Sequence, residues 1–338
     1  MFSPDRLRAA VDAFRGKTIL VVGDLIADEY IYGKPSRISR EAPVLILRFS
    51  SREVRLGGAG NASHNIHTLG ARVVPVGVLG SDPAGDEVLT LCRSVGISSE
   101  GIVRTGERPT AVKTRIMAGG YQSTRQQVVR VDREPPPGLD PETEQILIER
   151  VGAFGPAADA VLFSDYGYGL LTPGLVEQVM AGVRGRGGLV TADSRYDLLR
   201  FRGVTAATPN EPELEEMVGG PLDDEPAVEK AGRQLLERLD CRYLLVTRGS
   251  RGMALFEREG PATFLPIHGS NEIADVTGAG DTVISTFTLA LAGGSPPIEA
   301  AWLANVAGGV VVMKRGTAPI GRAELLHALG SDGTPREP

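Results

Sequence analysis

Short apolar runs alternate along the chain with amphipathic stretches, and this alternation constrains the fold more than any other feature. Runs typical of buried strands occur at 18–22, 73–78, 161–164, 189–192, 243–247 and 253–256. Helical patterns separate them at 61–69, 82–94, 175–183, 211–218, 228–239, 282–292 and 298–313. Strands that alternate with helices are typical of a doubly wound, mostly parallel sheet. We therefore predict an α/β fold of this kind.

Two segments interrupt the alternation with β-branched and aromatic residues and turn signals. Residues from about 28 to 55 contain the runs 29–33 and 44–49, which we predict to be short antiparallel strands. Residues 111–132 contain two further strand patterns separated by Gly119-Gly120, as expected of a hairpin. We predict that both segments form one small β lid. A single domain then spans 1–330, followed by a polar tail at 331–338.

Composition argues against several classes of function. Lys and Arg number 36 against 42 Asp and Glu, a net charge of −6, so no basic footprint for nucleic acid is present. The sequence has no 18-residue apolar run and no signal-peptide core, so we expect a cytoplasmic protein without a membrane partner. Cys92 and Cys241 stand far apart, and His64 and His67 lack a third ligand nearby. We therefore predict no zinc site.

The sharpest local signal is the run Asp-Val-Thr-Gly-Ala-Gly-Asp at 275–281, immediately before an apolar helix. Small residues there let backbone N–H groups close on an anion, and the helix dipole favours negative charge at that point. Asp281, at the helix start, could accept a proton from a substrate hydroxyl. Taken alone, however, an N-capping aspartate after a glycine turn explains the run more simply.

A second glycine-rich site, Gly57-Gly58-Ala59-Gly60-Asn61, also precedes a helix. It could bring the backbone close to a sugar, with Asn61 offering both a donor and an acceptor, or it could be a plain loop-to-helix turn. Known phosphate loops do not match. The run 16–18 completes only half of a Walker A motif, and 58–63 fails the dinucleotide-binding fingerprint.

Three of these features together resemble the ribokinase/PfkB family of sugar kinases. They are Gly57-Gly58 with Asn61, the 275–281 run, and the Asn-x-x-Glu pattern from Asn210 to Glu213, in the family's order. The runs 22–24, 36–39, 41–44, 125–132, 164–167 and 314–319 are similar to those of the D-glycero-β-D-manno-heptose 7-phosphate kinases. The resemblance covers about 5–328 and implies a ribokinase-like fold that transfers a phosphoryl group from ATP to a sugar hydroxyl.

The resemblance also implies a role for each matching residue. Asp281 would be the catalytic base, and the amides of Gly278, Ala279 and Gly280 would form the anion hole. Asn210 and Glu213 would organise the nucleotide phosphates and the water shell of Mg²⁺. Asp275 and Thr277 would hold a monovalent cation, K⁺. The remaining nucleotide contacts would be Thr247, Arg248, Gly249, Gly252 and Asn305.

For the acceptor sugar, the resemblance points to the strand ends and to the lid. The residues implied in holding sugar hydroxyls are Asp24, Gly57, Gly58, Asn61 and Asp165. Each lid cation taken singly is a solvated charge, but as a set they form a candidate clamp for the acceptor's phosphate: Arg37, Lys113, Arg115 and Arg125. The lid would also be the contact of a homodimer.

Two positions depart from the heptose kinase pattern. Tyr168 stands where those kinases carry lysine, and Arg40 stands where proline is usual. Tyr168 cannot supply a cation at neutral pH. A kinase of another sugar or sugar phosphate is therefore an open alternative, as is a non-catalytic sugar- or nucleotide-binding protein. Where the chain ends, near Gly330, we expect the stand-alone kinase form.

Overall fold

A nine-stranded sheet runs through the middle of the protein in a computed structural model that describes residues 2–119, 126–185, 187–269 and 274–331. In spatial order the strands are β13 (Thr263–Leu265), β12 (Met253–Glu257), β11 (Tyr243–Thr247), β10 (Ala206–Ala207), β9 (Leu189–Ser194), β8 (Ala160–Asp165), β1 (Thr18–Gly23), β4 (Arg72–Gly80) and β5 (Ile102–Thr105). The pairs from β5 to β11 are parallel, and only β12 and β13 run antiparallel to their neighbours. The predicted mostly parallel sheet is confirmed.

Helices cover both faces of this sheet. They are α1 (Pro4–Asp12), α2 (Ala59–Thr68), α3 (Pro83–Ser94), α4 (Pro141–Phe154), α5 (Pro173–Arg184), α6 (Glu211–Val218), α7 (Glu225–Leu239), α8 (Ala279–Ala292), α9 (Pro297–Val311) and α10 (Arg322–Ser331). One core, around Phe14 and Phe287, lies on one face, and a second, around Phe163 and Phe256, lies on the other. Strand β1 is buried almost throughout because both of its faces are covered, hence its continuous apolar run.

The predicted lid is a four-stranded sheet in the order β3-β2-β6-β7. Its strands are β2 (Leu25–Ile38), β3 (Leu45–Gly58), β6 (Ala111–Ala118) and β7 (Gln126–Arg133). The prediction of antiparallel strands near residues 28–55 is confirmed, because β2 pairs with β3 in antiparallel orientation, but the prediction that they are short was wrong. Strands β2 and β3 each have 14 residues, and β2 also pairs with β6 in parallel. The apolar residues at the start of β2 and at the end of β3 pack on the core around Phe14 and Phe287. The remaining parts of both strands extend beyond the surface of the domain.

The topology places a crevice where the functional residues were predicted. Strand β1 has β4 on one side and β8 on the other, so the winding of the sheet reverses there. Ligands of doubly wound sheets bind outside the carboxyl ends of strands at this reversal. Asp24 directly follows β1, and Asp165 ends β8. The lid lies over this edge.

No helix among the residues described is long and apolar enough to cross a membrane. Of the predicted tail, Ser331 ends α10, and residues 332–338 lie outside the described residues.

Candidate active site

Asp24 is held by backbone amides at the end of β1. Its Oδ2 accepts hydrogen bonds from the amides of Tyr166 (2.9 Å) and Tyr168 (3.4 Å), and only 3% of the residue is exposed. Burial raises the pKa of its carboxyl to about 6, while the two amides lower it. A buried acceptor of this kind can receive a hydrogen bond from a sugar hydroxyl, as predicted for Asp24.

Asp281 lies in the first turn of α8 and is also 3% exposed. Its Oδ1 accepts from the Tyr166 hydroxyl (2.9 Å) and its Oδ2 from Nδ2 of Asn61 (2.7 Å). Burial raises the pKa of Asp281 to about 7, against the lowering by these two donors. The structure thus brings together Asp281 and Asn61, two predicted site residues that are 220 positions apart in the chain.

The glycines next to these carboxylates are required by close contacts. A Cβ at Gly278, where φ is +78°, would lie 2.6 Å from Nδ2 of Asn61. A Cβ at Gly58, where φ is +57°, would lie 2.4 Å from the carbonyl oxygen of Asp24, and one at Gly57 would lie 2.7 Å from Oδ2 of Asp28. Gly57 and Gly58 end strand β3, and α2 begins at Ala59, so the expected loop before the helix is a strand end.

The predicted anion hole is met in part. The amide of Ala279 donates to the carbonyl of Val276 (3.2 Å) and is therefore engaged within the turn. Gly280 and Asp281 lie in the first turn of α8, where amides have no intrahelical acceptor. The N-terminus of α8 is positively polarised and borders a cavity, so Gly280 is the best placed of the predicted residues to bind an anion.

That cavity, of about 530 Å³, joins most of the predicted nucleotide site. Predicted residues that line it are Asn210, Thr247, Arg248, Gly249, Gly252, Ala279, Gly280 and Asn305. Its apolar wall includes Ile267, Val283 and Val312, which suit an aromatic base. Two of the predicted polar groups already have partners in the fold. Asn305 donates to the carbonyl of Pro266 (2.7 Å), and Arg248 pairs with Glu211 (3.2 Å) beneath Phe264.

Asn210 and Glu213 form a reciprocal cap at the start of α6. The Asn210 side chain accepts from the Glu213 amide (2.8 Å), and the Glu213 carboxylate accepts from the Asn210 amide (2.9 Å). Asn210 is therefore the N-cap of α6, which is compatible with a further role. Burial raises the pKa of Glu213.

Asp193 is a carboxylate of this site that sequence reasoning missed. It lies near the end of β9, accepts from the Thr208 hydroxyl (3.1 Å), and its pKa is raised well above the usual range by burial and by the Glu213 and Asp281 carboxylates. The signal was present in the sequence. Asp193 follows the predicted buried strand 189–192 in the same way that Asp24 follows the strand 18–22.

Asp275 joins two loops that are distant in sequence. Its Oδ1 accepts from the amide (2.9 Å) and hydroxyl (2.7 Å) of Thr277, and its Oδ2 accepts from the amide of Gly316 (2.9 Å). Both carboxylate oxygens are thus engaged, and these bonds lower the pKa of Asp275 despite its partial burial. Asp275 and Thr277, predicted to hold a monovalent cation, therefore lie beside the loop that contains Gly316.

The predicted phosphate clamp separates into different groups. Arg115 pairs with Asp28 (2.6 Å), and the Lys113 ammonium lies over the rings of Tyr166 and Tyr168, 5.5 and 5.6 Å from their centroids. Arg37 is exposed near the far end of β2, about 30 Å along the strand from Asp28 at ~3.3 Å per residue. The structure does not bring Arg37 to the site. Arg125 lies outside the described residues.

Asp165 also differs from expectation, because its carboxylate is used within the fold. It accepts from the amide of Gly167 (3.1 Å), the hydroxyl of Ser194 (2.7 Å) and the guanidinium of Arg200 (2.7 Å). These three bonds hold the loop after β8, so Asp165 positions the site instead of contacting a sugar.

The two departures from the heptose kinase pattern lie apart: Tyr168 is buried beside this loop, whereas Arg40 is exposed at the lid tip.

Comparisons with known proteins agree with this geometry. The sequence profile of the pfkB family carbohydrate kinases matches residues 17–127 and 189–322. The "Bifunctional protein HldE" of Geobacter sulfurreducens is 41% identical over 312 residues, which are 92% of this chain and 62% of that protein. The same-named protein of Mesorhizobium japonicum is 41% identical over 330 residues, which are 97% and 65%. The chain spans less than two thirds of the length of these relatives.

Solved structures share the ribokinase-like fold. Phosphofructokinase-2 from Escherichia coli, in complex with substrates and products, superposes with a TM-score of 0.76 at 17% identity. Arabidopsis thaliana ribokinase, complexed with ribose and ATP, does so with a TM-score of 0.70 at 20% identity. Each comparison covers 93% of this chain and 98% of the other. Because the family profile and the 41% identical relatives both cover most of its length, the chain belongs to the pfkB family of carbohydrate kinases.

Proposed function

We propose that the protein transfers the γ-phosphoryl group of ATP to the anomeric hydroxyl of D-glycero-β-D-manno-heptose 7-phosphate, giving the 1,7-bisphosphate and ADP. One observation carries the proposal: the buried Asp281 carboxylate lies between Asn61 and Tyr166 at the start of α8, the helix that borders the nucleotide cavity. The likeness to the HldE proteins supports heptose 7-phosphate as the acceptor.

Asp281 is suited to general base catalysis. Because burial raises its pKa to about 7, it is partly ionised at neutral pH and still basic enough to take a proton. The acceptor hydroxyl gives its proton to Asp281 and its oxygen attacks the γ-phosphorus. The bond from that phosphorus to the bridging oxygen breaks, and ADP leaves with the electron pair. Charge on the transferred group is stabilised by the Gly280 amide and the dipole of α8.

The oxygen ligands beside the nucleotide cavity suit a hard cation. The Glu213 carboxylate is close enough to Asp193 to raise the pKa of Asp193, and Mg²⁺ prefers such oxygen groups with water between. Bound Mg²⁺ would supply charge neutralisation for the ATP phosphates. Asp275, with the loops of Thr277 and Gly316, would hold K⁺ near the α8 N-terminus.

The acceptor's phosphate requires cations that the fold has not already neutralised. In the described parts of the chain, neither Lys113 nor Arg195 has a carboxylate within ion-pair distance. Burial lowers the pKa of Lys113, the Asp132 carboxylate partly opposes this, and the positive charges of Arg195 and Arg130 lower it further. A phosphate dianion between Lys113 and Arg195 would remove this repulsion. We therefore place the 7-phosphate at these two residues, and not at Arg37.

The lid is also the proposed contact of a homodimer. It exposes apolar side chains that monomeric proteins rarely gather in one place. They are Ile38, Val44, Leu45, Phe49, Val128, Val129 and Val131. Phe49 is 70% exposed, so Phe49→Glu should fold normally and shift the sedimentation mass from dimer towards monomer. A monomeric wild type, or a variant that stays dimeric, would contradict this contact.

ADP release with Mg²⁺ and K⁺ tests the reaction. We expect strong stimulation by the β anomer of heptose 7-phosphate and little by its α anomer, fructose 6-phosphate, ribose or buffer. Asp281→Asn should lower kcat about 10²–10⁴-fold if Asp281 is the base. Asp223→Asn, an exposed aspartate between α6 and α7, is the matched control and should behave as wild type. Turnover unchanged in Asp281→Asn would remove the base from the mechanism.

Tyr168 favours a second candidate, the same transfer to another sugar or sugar phosphate. Its ring packs against Ile26 and Ala111 and is 8% exposed, so this position carries a buried aromatic ring instead of a cation. A different acceptor that gave the highest kcat/KM in the same panel would establish this candidate. Nucleotide binding without transfer to any acceptor would instead indicate a binding protein.

A further inference from the structure

Tyr166 contacts both carboxylates that define the acceptor side of the site. Its backbone amide donates to Oδ2 of Asp24 (2.9 Å), and its hydroxyl donates to Oδ1 of Asp281 (2.9 Å). The Lys113 ammonium lies 5.5 Å from its ring centroid, on the lid side. One residue therefore spans the distance from the group proposed to hold the sugar to the group proposed to deprotonate it.

The loop that carries Tyr166 is fixed on every side. Asp165, just before it, is anchored by Ser194 and Arg200 and accepts from the amide of Gly167. Gly167 has φ +79°, and a Cβ there would lie 2.5 Å from the ring of Tyr196. The carbonyl of Tyr168, on the far side, accepts from the Arg108 guanidinium. Tyr166 has little freedom to move away from either carboxylate.

We infer that Tyr166 is a positioning residue of the kinase: its amide orients Asp24, and its hydroxyl orients Asp281 and favours the ionised form of that carboxylate. The inference rests on the proposed role of Asp281 as the base. A hydrogen bond to one carboxylate oxygen fixes the rotation of the carboxylate, and the Asn61 amide fixes the other oxygen. The lone pairs that remain are then directed at the acceptor hydroxyl.

The groups around Asp281 shift the pKa of its carboxyl in known directions. The groups that face Asp281 are the Asn61 amide from α2, Asp28 from β2, Lys113 from β6, Tyr166 from the β8 loop and Asp193 from β9. Of these, Asn61, Tyr166 and Lys113 favour the carboxylate, whereas Asp28 and Asp193 disfavour it. Removing the Tyr166 hydroxyl must therefore raise the pKa of Asp281 and move the acidic limb of activity to higher pH.

Tyr166→Phe tests the inference, because it removes one hydroxyl and retains the ring and the backbone. Loss of a hydrogen bond to a charged group corresponds to a pKa increase of about one unit. With a starting pKa of about 7, the ionised fraction of Asp281 at pH 7 falls about fivefold. We expect kcat at pH 7 to fall at least that much, the limb to shift upward, and part of the loss to recover at pH 9. The acceptor KM should stay within threefold of wild type.

The matched control is Tyr243→Phe, which removes the same atom at the amino end of β11, away from the strand ends that form the site. A Tyr166→Phe profile that coincides with that of Tyr243→Phe would overturn the inference. An unchanged kcat with a tenfold higher acceptor KM would also overturn it, since Tyr166 would then contact the sugar. An isosteric variant, 3-fluorotyrosine at position 166, is a stronger donor and should shift the limb to lower pH.

A direct titration keeps this test separate from the proposed function. The ¹³C carboxyl resonance of Asp281, identified by its loss in Asp281→Asn, reports its pKa without any acceptor. A higher pKa in Tyr166→Phe supports the inference, and an unchanged pKa refutes it, whichever sugar the enzyme uses. Failure of wild type to transfer phosphate to any acceptor would instead refute the proposed function.

Discussion

Gly278→Ala tests whether the close contact between Gly278 and Asn61 positions Asp281, the proposed base. The substitution imposes two separate costs. Gly278 has φ +78°, and an L-residue in this conformation costs roughly 1–2 kcal/mol. The new Cβ would also lie 2.6 Å from Nδ2 of Asn61, which must shift and thereby lengthen its 2.7 Å bond to Asp281. The first cost lowers stability, and the second acts on catalysis.

Gly219→Ala separates the two costs. Gly219 ends α6 with φ +74°, and its added Cβ would meet nothing within 4 Å. Both variants should therefore lose a similar free energy of unfolding, which lowers the Tm of a chain this size by about 1–3 °C. Only Gly278→Ala should lose activity. If the Asn61 bond is lost, the positioning of Asp281 loosens, and kcat should fall about 10²-fold.

The assay is thermal unfolding followed by steady-state ADP release with saturating acceptor. If Gly278→Ala keeps the kcat of Gly219→Ala, the contact between Gly278 and Asn61 does not position the base, and the reasoning fails. If Gly278→Ala instead loses far more stability than Gly219→Ala, the side-chain shift spreads into the core.

Two further predictions follow from the charged groups of the site. Asp281→Asn should raise the free energy of unfolding at pH 8 by up to about 4 kcal/mol, because burial raises the pKa of Asp281 to about 7 and penalises its ionised form. The wild-type penalty develops as pH rises from about 4 to 7, so the two proteins should be equally stable near pH 4 in urea titrations. Lys113→Met should raise the KM of a phosphorylated acceptor at least tenfold, whereas the KM of an unphosphorylated sugar should not respond. Equal effects on both acceptors would contradict the phosphate site.

Sequence patterns predicted the elements with strong periodicity and missed the rest for physical reasons. The strands of the sheet centre have continuous apolar runs because both faces are covered, and these were identified. Strands β10 and β13 have two and three residues, too few to show any periodicity. Within the long strands β2 and β3, residues 34–37 and 50–53 are polar and exposed to solvent, so these parts lack the apolar signature of a buried strand and the full length of both strands was missed.

Short sequence motifs indicated some residues of the site. They could not indicate residues whose role depends on partners that are distant in the chain. The run ending in Asp281 has glycines that its backbone requires, so a short motif indicates it, but only the family resemblance distinguished it from a capping turn. The resemblance implied that Asp165 holds a sugar hydroxyl, but Arg200 pairs with its carboxylate and Ser194 donates to it, and neither partner is apparent from the motif. Tyr166 was missed as a side chain because its partner, Asp281, is 115 residues away.

The buried charged groups of the site destabilise the fold, and their charges indicate which ligands the site binds. Burial raises the pKa of Asp24, Asp193 and Asp281, so each is destabilised when ionised, and the buried Lys113 has no carboxylate within ion-pair distance among the residues described. A sugar hydroxyl can donate to Asp24, and a divalent cation can neutralise Asp193 with Glu213. A phosphate can neutralise Lys113. Each proposed ligand therefore compensates a charge that the fold leaves unsatisfied, and binding should stabilise the protein by RT ln(1 + [L]/Kd) for each ligand. Because the groups surround one crevice, acceptor and Mg²⁺-nucleotide together should raise Tm by more than the sum of their separate effects.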